Sequence, residues 1–181
     1  VGSSAEHSTL PVESSQPQIA ATPTPGAMAH SNPEAAHMME PITSSNILPA
    51  SAERGGQELA YRMEAGVKVF ELNTQVVEWE ILEGVTVIAM TYNGTVPGPL
   101  IRVTEGDQVR IVVNNLMDTP TTVHWHGVDV PNAMDGVPGV TQDPILPGES
   151  FTYEFTAKPA GTFMYHSHYE GDIQVSAGLY A

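Results

Sequence analysis

Two short histidine runs constrain this chain more than any other feature of its sequence. His-Trp-His places His124 two residues before His126, and His-Ser-His places His166 two residues before His168. On a β-strand, residues two apart point to the same face, so each run presents two imidazoles side by side. If the two strands are neighbours, all four imidazoles meet on one patch of a sheet.

Such a patch predicts a metal site. Four neutral imidazoles packed together without a ligand would lose hydration and compete for few hydrogen-bond partners. Imidazole binds Zn, Cu, Fe and Ni, and the ligand type alone does not choose among these metals. Three histidines plus a water also make a catalytic zinc site, so a zinc enzyme is one interpretation of the same residues.

The rest of the patterned sequence indicates an all-β fold. Residues 67–72, 76–82 and 85–92 are short, apolar or alternating segments bounded by turn residues. Phe151, Tyr153 and Phe155 alternate with polar residues and are expected to face the core. No segment has a helical period. This succession of short strands predicts an antiparallel β-sandwich or barrel in one domain, residues 56–181.

Residues 1–55 differ in composition from that domain. They are rich in Pro, Ser, Ala and Thr, and no Lys or Arg precedes Arg54. Without an apolar period they cannot bury enough surface to offset chain entropy, so we expect a disordered or extended tail. Its His37, Met38 and Met39 are compatible with transient copper binding, or they belong to a solvated linker.

Charge and composition exclude several classes of partner. The chain has 6 Lys and Arg against 21 Asp and Glu, a net charge of −15, which argues against nucleic acid and anionic membranes. It has no cysteine, which removes disulfides and thiolate metal ligands. No run approaches the about 18 apolar residues of a membrane span. The first residue is Val1 and no signal peptide follows, so we expect an extracytoplasmic protein, periplasmic or secreted, with its signal already removed.

Four runs, in this order, closely resemble the first cupredoxin domain of bacterial laccase-like multicopper oxidases. They are NGTVPGPLIRVTEGD from Asn93, HWHG from His124, DGVPGVTQDPI from Asp135 and PAGTFMYHSH from Pro159. The resemblance extends from residue 57 to the end of the chain and implies a Greek-key cupredoxin fold. It also implies copper as the metal, O₂ as a substrate and one-electron oxidation of a donor.

The resemblance assigns a role to each histidine. It implies that His124 binds the type 2 copper, that His126 and His166 bind one type 3 copper, and that His168 binds the other. Asp135 matches a carboxylate that delivers protons near the type 2 copper. An Asp-Gly turn explains Asp135 equally well, because turns favour that dipeptide.

Half of the family's ligands are missing from the chain. A complete multicopper oxidase has four further cluster histidines and a cysteine that holds the type 1 copper. The resemblance therefore implies a partner with those ligands, either a second cupredoxin domain of a longer chain or a separate subunit. A homo-oligomer is a separate alternative. A copper storage or delivery module without catalysis is the alternative function.

Overall fold

The structure of the protein is a computed structural model, and it describes residues 41–181. Within that range lie eight β-strands and one single-turn helix. They are β1 (Ile47–Leu48), β2 (Arg62–Glu64), β3 (Val67–Leu82), β4 (Val85–Tyr92), β5 (Gln108–Asn115), β6 (His124–His126), β7 (Ser150–Thr156), β8 (Met164–His166) and α1 (Gly171–Gln174). The predicted all-β fold class is confirmed.

The long strand β3 organises the larger sheet because it changes partners along its length. Its first half pairs antiparallel with β2 and parallel with β5, and β5 pairs antiparallel with β7. From Thr74 onward it pairs antiparallel with β4, and Val76 and Val77 pair parallel with β1. The six-stranded sheet is therefore mixed, with two parallel pairings in addition to the antiparallel ones that the alternation predicted.

A second sheet of two strands carries the histidine runs. β6 and β8 pair antiparallel, and they pack on the larger sheet through aromatic side chains. The Trp125 ring lies 5.3 Å from the Tyr153 ring of β7 and 5.6 Å from the Tyr165 ring of β8, measured between centroids. All three side chains are buried, so this aromatic contact joins the two layers. The histidine face is thus one side of a strand pair whose other side is core.

Two predicted elements differ from those observed. The segments 67–72 and 76–82, predicted as separate strands, form the single strand β3. The intervening Asn73, Thr74 and Gln75 stay extended because their backbone pairs with β4 and β5, which overrides their turn-like composition. The sequence from Ile173 to Tyr180 also predicts a last element. In the structure it begins as the helix α1 at Gly171, which is too short to leave a periodic signal.

Residues 41–55 of the predicted tail are extended along the domain. β1 pairs with β3, and the Ser51 N–H donates a hydrogen bond of 2.9 Å to the Gly94 carbonyl. The Asp118 carboxylate accepts hydrogen bonds from Ser44 and Ser45. His37, Met38 and Met39 lie outside the described residues. In the part of the chain that the structure describes, no helix is long and apolar enough to cross a membrane.

Candidate metal centre

The register of β6 and β8 places His124, His126 and His166 on one face, and His168 follows two residues after β8 ends. His124 lies opposite His166, and the next position pairs Trp125 with Tyr165. Because side chains alternate along a strand, the histidines project to one face and the aromatic residues to the other. Trp125 is 4% exposed, so it packs behind the imidazoles as its position between them predicts.

All four imidazoles lie in one cluster. The His124 ring is within 5.7 Å of the His126 ring, 5.5 Å of the His166 ring and 5.4 Å of the His168 ring, between centroids. The His166 ring is 5.9 Å from that of His126 and 6.2 Å from that of His168. His124 is therefore central to the group, and the two strands bring together all four histidines singled out from the sequence.

Main-chain carbonyls hold two of the rings. His124 Nδ1 lies 2.6 Å from the Asp135 carbonyl oxygen, and His166 Nδ1 lies 2.8 Å from the Ser167 carbonyl oxygen. A carbonyl oxygen only accepts, so both Nδ1 atoms carry the proton. Their Nε2 atoms are then left with a free lone pair, which is the form of imidazole that binds a metal.

Burial favours the neutral form of His166. The pKa of its imidazole is lowered from the ordinary value, chiefly by desolvation, and positive charge on the other three histidines acts in the same direction. The hydrogen bond to the Ser167 carbonyl acts the opposite way, because it favours the protonated ring. The net effect suits a ligand, since only an unprotonated nitrogen coordinates a metal.

Asp135 reaches the cluster by its main chain as well as by its carboxylate. It follows a single 3₁₀ turn, Asn132–Met134, in the loop between β6 and β7. Its Oδ1 lies 3.4 Å from His124 Nδ1, farther than its own carbonyl oxygen at 2.6 Å. The carboxylate is thus beside the central histidine, while the shorter contact belongs to the backbone.

A buried polar network supports the histidine strands from behind, and sequence reasoning missed most of it. Gln174 Oε1 accepts hydrogen bonds of 2.8 Å from the Thr121 hydroxyl and 2.7 Å from the Ser167 hydroxyl. Gln174 Nε2 donates to the Pro120 carbonyl at 2.8 Å. Ser167 lies between His166 and His168, so alternation along a strand predicts it behind the imidazoles. No local signal identifies Gln174, which the helix α1 brings to the network. These bonds tie the segment before β6 to the segment after β8.

A comparison with family models identifies the family to which the chain belongs. The model described as multicopper oxidase matches residues 73–181, which is more than half of the chain and includes all four histidines. The chain belongs to the multicopper oxidase family. Copper is therefore the metal implied for this domain.

Known multicopper oxidases are similar in sequence and in structure. The chain is 50% identical over 101 residues to "Laccase-2" of Botryotinia fuckeliana, covering 54% of this chain and 17% of the relative. It is 47% identical over 92 residues to "Copper resistance protein A homolog" of Pseudomonas syringae pv. tomato, covering 51% of this chain and 15% of the relative. The crystal structure of a multi-copper oxidase from Pseudomonas Thermotolerans matches with a TM-score of 0.62 and 41% identity, covering 65% of this chain and 29% of that one. The cupredoxin-type fold is thereby confirmed. The chain spans less than a fifth of the length of Laccase-2 and of the copper resistance protein A homolog.

The residues present fit copper, but they do not complete a site for one ion. Imidazole nitrogen suits copper, and two of the rings are held with Nε2 free. Among residues 41–181, however, no three His, Cys, Asp or Glu side chains converge as ligands of a single ion. This multicopper oxidase domain thus presents four clustered imidazoles, a donor type that suits copper.

Proposed function

We propose that this chain supplies half of the ligands of a type 2/type 3 trinuclear copper cluster. The complete enzyme would reduce O₂ to water and remove single electrons from a donor. The observation that carries the proposal is the cluster itself: four imidazoles lie together, with the His124 ring 5.4 to 5.7 Å from each of the other three. A domain that shares coppers with a partner would present such a cluster and leave the remaining ligands to that partner.

The proposed division of ligands follows the motif. His124 serves the type 2 copper, His126 and His166 serve one type 3 copper, and His168 serves the other. Copper, when bound, supplies the redox chemistry and the binding of oxygen species. The chain's own contribution is to hold the imidazoles in their neutral form. Main-chain carbonyls hold His124 and His166 in the Nδ1–H tautomer. Burial lowers the pKa of His166 and so favours its unprotonated form.

We assign Asp135 the proton-handling role in this cluster. Its Oδ1 lies 3.4 Å from the Nδ1 atom of His124, which is the ring central to the group. The carboxylate would take up and release protons at this site when copper is bound, without itself being a ligand. The turn at Asp135 does not compete with this assignment, because it uses the Asp135 N–H, which donates to the Asn132 carbonyl, and not the carboxylate.

The partner brings the remaining histidines and the type 1 copper. A groove of about 350 Å³ runs beside His166 and His168, lined also by Met164, Gly171 and Val175, and it leaves the ligands accessible from outside the domain. His126 and His168 are the exposed members of the cluster, as expected for rings that face a second domain. Whether that domain belongs to the same chain or to another subunit does not change the proposed ligands.

We also propose an extracytoplasmic location, on the Pro/Ser/Thr-rich composition of residues 1–55. Fractionation of cells that express the full-length protein tests this proposal. Recovery with cytoplasmic markers would overturn it and would leave the copper assignment unaffected.

Metal analysis of the assembled oxidase tests the function. His126→Ala and His166→Ala should each lower type 3 copper content and O₂ uptake, whereas the tail variant His37→Ala should leave both unchanged. Full copper loading in both strand variants would overturn the assignment of His126 and His166 as type 3 copper ligands. If His37→Ala alone removed copper, a storage or delivery module would be the better account.

A further inference from the structure

The loop that carries Asp135 touches β6 more closely than a side chain would permit. Gly136 is buried and has a φ of +79°, a backbone conformation that favours glycine. A Cβ atom at this position would lie 1.8 Å from the Val123 carbonyl oxygen and 3.0 Å from the His124 nitrogen. Both neighbours are backbone atoms of the histidine strand and its lead-in, so no side-chain rearrangement relieves the contact.

The same close approach sets the hydrogen bond to His124. The carbonyl group of Asp135 belongs to the peptide unit that ends at the Cα atom of Gly136, and a peptide unit is planar and rigid. The position of Gly136 against Val123 therefore fixes where the Asp135 oxygen lies, 2.6 Å from His124 Nδ1. A displacement of Gly136 by an added methyl group would carry this oxygen away from the ring.

We propose that the Asp135–Gly136 peptide unit positions His124. Gly136 is the positioning residue, because its close approach to β6 lets the Asp135 carbonyl hold the His124 imidazole in the Nδ1–H tautomer. The inference deepens the proposed function, since it explains how the central ligand keeps Nε2 directed at the metal. It also separates two roles of Asp135. The carbonyl orients the histidine, and the carboxylate is not required for that orientation.

Nitrogen NMR of the imidazoles in the metal-free chain tests the proposal. At about pH 8, above the ordinary histidine pKa of about 6.5, the two ring nitrogens report directly which one carries the proton. Wild-type His124 should be in the Nδ1–H tautomer, and Asp135→Asn should keep it because the carbonyl remains. Gly136→Ala should convert His124 to a mixture of tautomers.

Gly139→Ala is the matched control. Gly139 lies in the same loop with a φ of +71°, but nothing lies within 4 Å of a Cβ atom placed there. The two variants share the strain of an alanine at positive φ and differ in the contact with β6. Gly139→Ala should therefore leave the His124 tautomer as in the wild type, and an equal change in both variants would overturn the role of Gly136.

Two results decide the proposal even if Gly136→Ala does not fold. An Nε2–H tautomer of His124 in the wild type would overturn it, and so would loss of the Nδ1–H tautomer in Asp135→Asn, because that would assign the orientation to the carboxylate. The Nδ1–H tautomer of His124 in both the wild type and Asp135→Asn would support the proposal. A Cu²⁺ titration provides a second readout, in which a folded Gly136→Ala variant should bind about 10- to 100-fold more weakly. The tautomer measurement uses no copper. A result that overturns the positioning role of Gly136 is therefore distinguishable from a result that overturns the proposed copper cluster.

Discussion

The two histidines in each strand run are not equivalent, and the difference divides the cluster into an anchored pair and an exposed pair. His124 and His166 are half-buried, and each donates an Nδ1–H to a main-chain carbonyl. His126 and His168 are exposed, and among residues 41–181 their ring nitrogens have no hydrogen-bond partner. This domain thus holds one pair of imidazoles in place, and under the proposed function the partner orders the other pair.

The comparison predicts unequal losses of copper affinity. Ordering a side chain on binding costs about 0.5–1.5 kcal/mol, and an anchored imidazole has already met that cost. In the chain by itself, His124→Ala or His166→Ala should therefore lower Cu²⁺ affinity by up to about tenfold more than His126→Ala or His168→Ala. Competitive titration measures the four affinities, and equal losses would contradict the division into two pairs.

The anchored pair depends on the polar network behind it, which Gln174→Ala breaks. The variant removes the nearest acceptor of the buried hydroxyls of Thr121 and Ser167, which keep longer contacts to the Thr122 carbonyl at 3.4 Å and the Tyr169 carbonyl at 3.2 Å. A buried polar group that loses its hydrogen bond costs about 1–3 kcal/mol. We expect a loss of about 2 kcal/mol or more in the free energy of unfolding, measured with denaturant. Gln108→Ala is the control, because Gln108 bonds Thr156 on the exposed side of the larger sheet. Similar losses in both variants would show that the network does not support the histidine strands.

A smaller effect is expected at the start of β6. The buried hydroxyl of Tyr153 accepts the Val123 N–H at 2.9 Å, one residue before His124. Tyr153→Phe leaves that N–H without a partner and should lower the free energy of unfolding by about 1–3 kcal/mol. Hydrogen exchange at the Val123 amide should accelerate in this variant. The exposed Tyr180→Phe serves as the control, and unchanged exchange at Val123 in Tyr153→Phe would contradict the contact.

The smallest effect concerns Asp118, which lies in the loop between β5 and β6. Hydrogen bonds from the Ser45 N–H and from the hydroxyls of Ser44 and Ser45 lower the pKa of Asp118 to about 2. A lowered carboxyl pKa stabilises the fold above the ordinary value of 3.8, and this contribution is lost as the pH falls towards 2. Exchange at the Ser45 amide, corrected for its intrinsic pH dependence, should rise over that range. Asp118→Asn should show fast exchange throughout, and at neutral pH it should bind copper as the wild type does.

The sequence predicted the strands of the site better than the contacts that orient its ligands. His-x-His marks β6 and β8 because side chains alternate with period two, and the aromatic residues between the histidines and beside them follow from the same rule. The partner change within β3 was not predictable, since it depends on which strands lie beside Asn73 to Gln75. The contacts of Gln174 and Gly136 join segments far apart in the chain, and no local pattern encodes them.

The claim that this domain holds half of a copper site is tested most directly by counting the imidazoles bound to each copper. X-ray absorption at the copper edge provides this count for the chain by itself and for the chain assembled with its partner domain. We predict fewer than three imidazoles per copper in the chain by itself, because the proposed division gives no copper more than two of this chain's four clustered histidines. The count should rise on assembly. Three or more imidazoles on one copper in the chain by itself would contradict the account.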